Sequence, residues 1–193
     1  MISYIVSVYD RIATLHACLA SLACQHGPKE IIVCSNAIHE NIIDAHGGAS
    51  ILYGARKVNS GRWGANSCYE SAEIVAEDGV RGEWLCFPSD DSLYVAGFQK
   101  IMLDTAARTG ADLVYCDCVY AVGSEINPWA AYSVLETQPK MGRIDKTCFI
   151  LRRSLFKGFP AHELGYRDGA LIEQLVKGGV KMAKAPGVLV VHQ

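Results

Sequence analysis

Gly82-Glu83-Trp84-Leu85-Cys86-Phe87-Pro88-Ser89-Asp90-Asp91-Ser92 holds a short apolar run, Trp84 to Phe87, entered from Gly-Glu and left through Pro-Ser-Asp. A run of that length between turn-forming residues reads as an interior strand whose C-terminal end opens into a loop. In open α/β sheets that end is where ligands bind. Two adjacent carboxylates there repel each other unless a cation or ligand hydrogen bonds compensate, and hard oxygen ligands favour Mg2+ or Mn2+. Asp90 and Asp91 are therefore candidate ligands for a metal ion that holds a phosphorylated compound. The plainer alternative is an acidic turn capping a helix near Tyr94, since Asp and Ser are common N-caps.

Apolar runs alternate with helical spacings on both sides of this stretch. Ile2 to Val8 reads as a strand, and Ile12, Leu15, Leu19 and Leu22 recur at helical spacing before Gly27-Pro28. Glu30 to Cys34 and the weaker Ile51-Leu52-Tyr53 are further strands, and Ala65 to Ala76 is a helix with Cys68, Tyr69, Ala72, Val75 and Ala76 on one face. Val95, Phe98, Met102 and Ala106 mark another helix, and Leu113 to Cys116 another strand. The order βαβαβαβαβ predicts an α/β fold with a mostly parallel central sheet, helices on both faces and right-handed crossovers. Past Val122 the alternation stops. Asn127-Pro128-Trp129 is loop-like, Thr147 to Leu151 a strand, Leu171 to Val176 a short helix, and Val188 to Val191 a final strand.

A chain of 193 residues, half of them hydrophobic, has room for one domain with a sizeable core. Its formal charge of −2 gives no global case for nucleic acid or an anionic membrane. No stretch approaches eighteen uninterrupted apolar residues, and Met1-Ile2-Ser3-Tyr4 begins as a strand without a basic leader. The expectation is a soluble, cytoplasmic protein. The eight cysteines are expected to be free thiols, because Cys34, Cys86 and Cys148 sit inside apolar runs where a thiol behaves as a small hydrophobe. Cys116-Asp117-Cys118 is too tightly spaced for the usual zinc pair. The first strand is not followed by the glycines of a dinucleotide-binding turn, and no P-loop lysine follows any strand.

The motifs, taken in order, resemble those of the inverting glycosyltransferases of family 2, which have the GT-A fold. Ser7-Val8-Tyr9-Asp10-Arg11 is similar to that family's Pro-Thr-Tyr-Asn-Arg type loop, followed by Leu15, Cys18-Leu19 and Ser21-Leu22 as in its first helix. Val33-Cys34-Ser35-Asn36 lies where the family's second strand ends in Asp residues that contact nucleobase and ribose. Asn59-Ser60-Gly61 with Ala65-Asn66 matches an Asn-x-Gly followed by Arg-Asn. Gly82-Glu83-Trp84 with Ser89-Asp90-Asp91 matches Gly-Glu-Tyr and the metal-binding acidic pair. Gly158-Phe159 with Arg167-Asp168 matches a Gly-Phe followed by Glu-Asp, whose Asp is the catalytic base. The likeness spans nearly the whole chain. Departures fall at Ser35, at Ser89, at Ala65, for which Arg62 could supply the missing charge, and at Arg167.

The resemblance implies a GT-A-like single domain over residues 1–193, with a nucleotide-sugar donor half at 1–122 and an acceptor and catalytic half at 123–193. It implies a metal-dependent, inverting transfer of a hexose-like sugar from a UDP-, GDP- or dTDP-linked donor to an acceptor hydroxyl. Mn2+ or Mg2+ would be held by Asp91 and Asp90, with His192 as a further ligand. Donor contacts would come from Ser7, Tyr9, Asp10, Arg11, Ser35, Asn36, Arg62, Trp63, Asn66, Ser89 and Asp90, with Tyr9 and Trp63 placed to stack on the nucleobase. Trp129 and Arg167 would meet the acceptor.

The chemistry is consistent with those residue types. A departing nucleoside diphosphate is a polyanion that a divalent ion stabilises, and an acceptor hydroxyl needs a carboxylate to take its proton. Asp168 is the candidate base, with Glu163 second. Its alternative role is N-cap of the helix containing Leu171. Between Lys140 and Lys157, six cations (Lys140, Arg143, Lys146, Arg152, Arg153, Lys157) face the single acid Asp145. Such a patch would suit the donor diphosphate or a polyanionic acceptor, lipid-linked or glycan, and would equally serve as a solvated face. Self-association into a homo-oligomer is compatible with all of this. Two alternatives stand beside this: a sugar-nucleotide nucleotidyltransferase, whose expected glycine-rich, basic loop after strand one Tyr9-Asp10-Arg11 does not provide, and a non-catalytic relative that binds nucleotide or sugar, which the departures at Ser35, Ser89 and Arg167 would suit.

Overall fold

The computed structural model describes residues 1–8, 11–35, 50–53, 69, 72–73, 76, 79–122, 131–162 and 166–192. Strand β1 (Ile2–Val8) is buried at every residue. It pairs in parallel with β2 (Lys29–Ser35) on one side and β4 (Trp84–Cys86) on the other, and β3 (Ser50–Tyr53) extends the parallel set beyond β2. A second group is built on β6 (Leu113–Val122) and β9 (Met182–His192), which run parallel. Antiparallel strands complete it: β5 (Ser92–Tyr94) on β9, β7 (Ala131–Leu135) on β6, and β8 (Phe149–Arg152), which joins the groups by pairing with both β4 and β6. The described residues thus form a nine-stranded sheet in the order β3-β2-β1-β4-β8-β6-β9-β5, with β7 beside β6.

The period-2 alternation of β1 explains the two-faced core. Ile2, Tyr4, Val6 and Val8 pack with Leu15, Cys18, Leu19 and Leu22 of α1 (Ile12–Ala23) and with Phe98 and Met102 of α2 (Phe98–Thr109). Ile5 points the other way, toward Leu171, Ile172 and Leu175 of α3 (Arg167–Lys177). Coverage on both faces buries every residue of β1, including Ser3 and Ser7 among its apolar neighbours. At the far end from the strand tips, buried Glu30 accepts from the Ser3 hydroxyl and, at 3.0 Å, from the Gly82 N–H. This steers the chain into β4. Burial works to raise the Glu30 pKa, but these bonds and those from Arg81 outweigh it and hold the carboxyl below its ordinary value.

Three expectations change. The sheet is mixed, with four parallel and four antiparallel pairings among the described strands, because β8 returns against β4 after a 3-10 turn at Lys146–Cys148. The parallel reading holds from β3 to β4 and again for β6 and β9. Near Tyr94 there is strand β5 rather than a helix; α2 begins at Phe98, behind Gly97 in the left-handed region at φ 88°, so the acidic pair caps nothing. Helix α3 begins at Arg167 instead of Leu171. Of the helix expected from Ala65, only Tyr69, Ala72, Glu73 and Ala76 are described, and all four are helical. The Asn127-Pro128-Trp129 loop lies outside the described residues.

Candidate functional site

The ladder between β1 and β4 continues past the end of β4. The Ser7 N–H donates to the Pro88 carbonyl at 3.0 Å, and the Asp90 N–H donates to the Ser7 carbonyl at 3.1 Å. Ser7 and Ser89 face each other in that extension. It fixes Asp90 and Asp91 on the C-terminal rim of the sheet, 2% and 3% exposed. Arg11, at the start of α1 with its side chain half exposed, reaches both: Nη2 lies 3.1 Å from Asp90 Oδ1 and Nη1 2.6 Å from Asp91 Oδ2. Asp91 Oδ1 is buried and, among the described residues, has no hydrogen-bond partner.

His192 approaches that orphaned oxygen because the β5–β9 register sets Ser92 opposite His192. Its Nδ1 is 3.4 Å from Asp91 Oδ1 and 3.2 Å from the Ser92 hydroxyl, and its ring packs edge-on to Tyr120 at 5.0 Å. A buried carboxylate oxygen left without a partner is costly, which a bound cation would relieve. No three His, Cys, Asp or Glu side chains among the described residues form a closed metal cage. The arrangement fits an ion of the Mg2+ type, held by one or two carboxylates and otherwise by substrate phosphates and water.

Asp168 lies in the first turn of α3, 8% exposed. The Lys146 main-chain N–H donates to its Oδ2 at 3.0 Å and the Gly169 N–H to its Oδ1 at 2.8 Å. Tyr166, not Asp168, occupies the N-cap position, and no side chain caps there, so the capping role is not the one Asp168 plays. Burial and the neighbouring Asp145 push the Asp168 carboxyl up to about 6, against the pull of the two N–H bonds and the Lys146 charge. Asp145 moves the other way. Burial works to raise it, but the positive field of His192, the bonds from Thr147 and Lys146 together lower it. Its Oδ1 accepts from the Thr147 N–H at 2.9 Å and hydroxyl at 2.7 Å. Two nearby carboxyls with pKa values pushed apart are the usual mark of divided acid-base roles.

Asp145 and Lys146 were not singled out in the sequence as site residues. Asp145-Lys146-Thr147 has the form of an Asx turn, in which an Asp side chain bonds the backbone two residues on, and that signal could have found them. Lys146 was instead counted in a cationic patch that the structure divides. Lys146 is buried, Arg152 pairs with Glu83 and, at 2.8 Å, with Asp112, and Arg153 donates to the Val80 carbonyl at 2.6 Å. Lys140, Arg143 and Lys157 stay exposed.

Arg167 has its guanidinium committed to Glu73 at 2.7 Å and to the Phe159 and Pro160 carbonyls, and lies over the Tyr69 ring at 5.3 Å. With Glu73, Lys157, Phe159 and Gln174 it lines an open cavity of about 420 Å³. Ser35 ends β2 opposite Val8 and Tyr53. Tyr9, Asp10, Asn36, Arg62, Trp63, Asn66, Trp129 and Glu163 lie outside the described residues. No described cysteine forms a disulfide; Cys24 is exposed and the rest are buried. No described helix is long and apolar enough to cross a membrane.

Among solved structures the chain is similar to S. aureus TarS. Against residues 1–349 of that protein the TM-score is 0.71 at 13% identity, over 100% of this chain and 60% of that one. Against the same fragment in complex with UDP it is 0.74 at 13% identity, over 98% and 59%. For the complex with UDP-GlcNAc it is 0.68 at 14% identity, over 98% and 57%. The chain therefore spans about three-fifths of the TarS fragment, and at this identity the likeness is one of fold. No protein-family model matches the chain, and no curated protein matches it significantly.

Proposed function

We propose that the protein is a metal-dependent, inverting glycosyltransferase that moves a sugar from a nucleotide-sugar donor to an acceptor hydroxyl. The observation that carries this reading is the buried Asp90–Asp91 tip, whose Asp91 Oδ1 has no hydrogen-bond partner among the described residues, joined through Lys146 to a carboxyl, Asp168, whose pKa of about 6 suits a general base. That TarS, with the same fold, has been crystallised with UDP and UDP-GlcNAc makes a UDP-linked sugar the first donor to test.

Asp91 and Asp90 would hold Mn2+ or Mg2+, with His192 beside them, and the ion would supply Lewis-acid stabilisation of the leaving diphosphate. Arg11 is the half-exposed cation at that rim and would turn from the carboxylates toward the donor phosphates. Asp168 takes the proton of the acceptor hydroxyl as its oxygen bonds to the anomeric carbon from the side opposite the diphosphate. The anomeric carbon–oxygen bond to the diphosphate breaks with its electron pair leaving on the nucleotide, so the configuration inverts. The two N–H donors hold the Asp168 carboxylate in one orientation for that step.

A screen of UDP-, GDP- and dTDP-linked sugars for nucleotide release, with Mn2+ or with chelator, tests the reading, and the coupling constant of the product's anomeric proton reports the stereochemistry. Retention at the anomeric carbon, or release indifferent to chelator, overturns the corresponding part. Both Asp168 oxygens are engaged by main-chain donors, which would also suit a protein that binds a nucleotide sugar without turning it over. Tight binding with no release in the same screen would establish that instead.

A further inference from the structure

Lys146 is the one lysine or arginine buried among the described residues, at 8% exposure. A buried ammonium is expensive unless its surroundings compensate, and a chain that keeps one in its core gains something by it. Lys146 reaches the site twice. Its main-chain N–H lies 3.0 Å from Asp168 Oδ2, and its ammonium lies 3.4 Å from each of the Phe87 and Pro88 carbonyl oxygens. The Pro88 carbonyl also accepts the Ser7 N–H at 3.0 Å, so it is part of the same ladder that fixes Asp90. Asp145 caps the turn that presents Lys146, through the N–H and hydroxyl of Thr147. Three carboxylates, Asp90, Asp91 and Asp168, are buried around this junction, and Lys146 is the buried charge that opposes them.

We propose that Lys146 is a positioning residue, setting Asp168 against the Asp90–Asp91 tip by bonding Asp168 with its main-chain N–H and, with its ammonium, the Phe87 and Pro88 carbonyls that lead into the tip. This rests on the transferase reading above. The backbone contact survives any substitution, so the side chain alone decides whether the two halves of the site stay in register. Part-way support comes from the field of the ammonium, which works to lower the Asp168 pKa and so favours the ionised base.

The test compares Lys146→Met, which keeps the length and removes the charge, with Lys146→Arg, which keeps the charge. The Met variant should still fold but melt lower, since the buried carboxylates and the Phe87 and Pro88 carbonyls lose their buried cation. Its kcat should fall on the order of 100-fold while the donor KM stays within about twofold, the signature of a misplaced reacting group. Amide hydrogen exchange should quicken at both Gly169 and Asp90. Lys146→Arg should recover most of the lost kcat. A Met variant with near-normal kcat, or exchange that changes at one of the two amides alone, overturns the proposal. A Met variant that loses its melting transition together with an Arg variant that is equally inactive leaves Lys146 a merely structural residue. Should the wild type turn over no nucleotide sugar, the transferase reading fails, and the exchange measurement alone decides whether Lys146 couples the two carboxylate groups.

Discussion

Asp168 and Asp145 are displaced in opposite directions, and the signs fix what pH should do. Asp168 must be ionised to accept a proton, so kcat should fall as pH drops through about 6, a decline visible in a pH–rate profile. A folded-state pKa raised above the unfolded value gives stability that is present below the unfolded pKa and lost as pH rises through about 6. Asp168→Asn, which cannot ionise, should therefore melt higher relative to wild type at pH 8 than at pH 4. The same variant should keep donor affinity and lose turnover by about two orders of magnitude or more, measured as kcat against Kd. Near-normal transfer would move the base role to Glu163. At the other carboxylate, Asp91→Asn should remove Mn2+-dependent nucleotide binding in calorimetry and leave the fold intact, because it neutralises the group with the orphaned oxygen. Asp90 and Asp91 stand out in the sequence as two adjacent acids directly after an apolar run, whereas Asp168 stands out only through the family resemblance. For Lys146 the sequence offers only the Asx-turn form of Asp145-Lys146-Thr147, which marks a turn but not which cation of the run the fold will bury.

Elements place these groups, and one close placement is at the start of α3. A Cβ added at Gly169 would lie 2.9 Å from the Met141 Cα, a backbone atom with no room to yield. Gly169→Ala should push α3 outward and cost about 1–3 kcal/mol in urea unfolding, as overpacking does. Because Gly169 also donates to Asp168, turnover should fall further than the stability loss accounts for. The strands β1, β2, β4 and β6 and the helices α1 and α2 could be read from the sequence because burial on both faces or along one helical stripe leaves a strong periodic signal. β5 and β7 could not. Ser92-Leu93-Tyr94 has three residues and exists as a strand only through its pairing with β9, and β7 turns Tyr132 and Val134 to solvent, the reverse of the usual pattern. Strand β8 was foreseen but not its direction, because antiparallel insertion between β4 and β6 is a long-range choice that local periodicity does not encode.

Across the whole molecule, stability should be indifferent to redox state. No described cysteine forms a disulfide, so a reducing agent should leave the melting temperature unchanged, and a fall of several degrees would reveal a bridge. A ligand that binds only the native state should raise it: UDP-GlcNAc with Mn2+ should give a concentration-dependent upward shift that chelator abolishes. The order of strands carries one more consequence. β4 has no second neighbour until β8 is made, and β5 has none until β9 is made, although both flank the acidic pair early in the chain. On a ribosome, with the N-terminal part emerging first, the second edge of β4 would wait about 65 residues for β8, and β5 about a hundred for β9. Such edges are templates for mispairing. A nascent chain stalled before Met182 would thus hold Asp91 without His192 beside it and leave β5 without its partner strand, an edge open to chaperones.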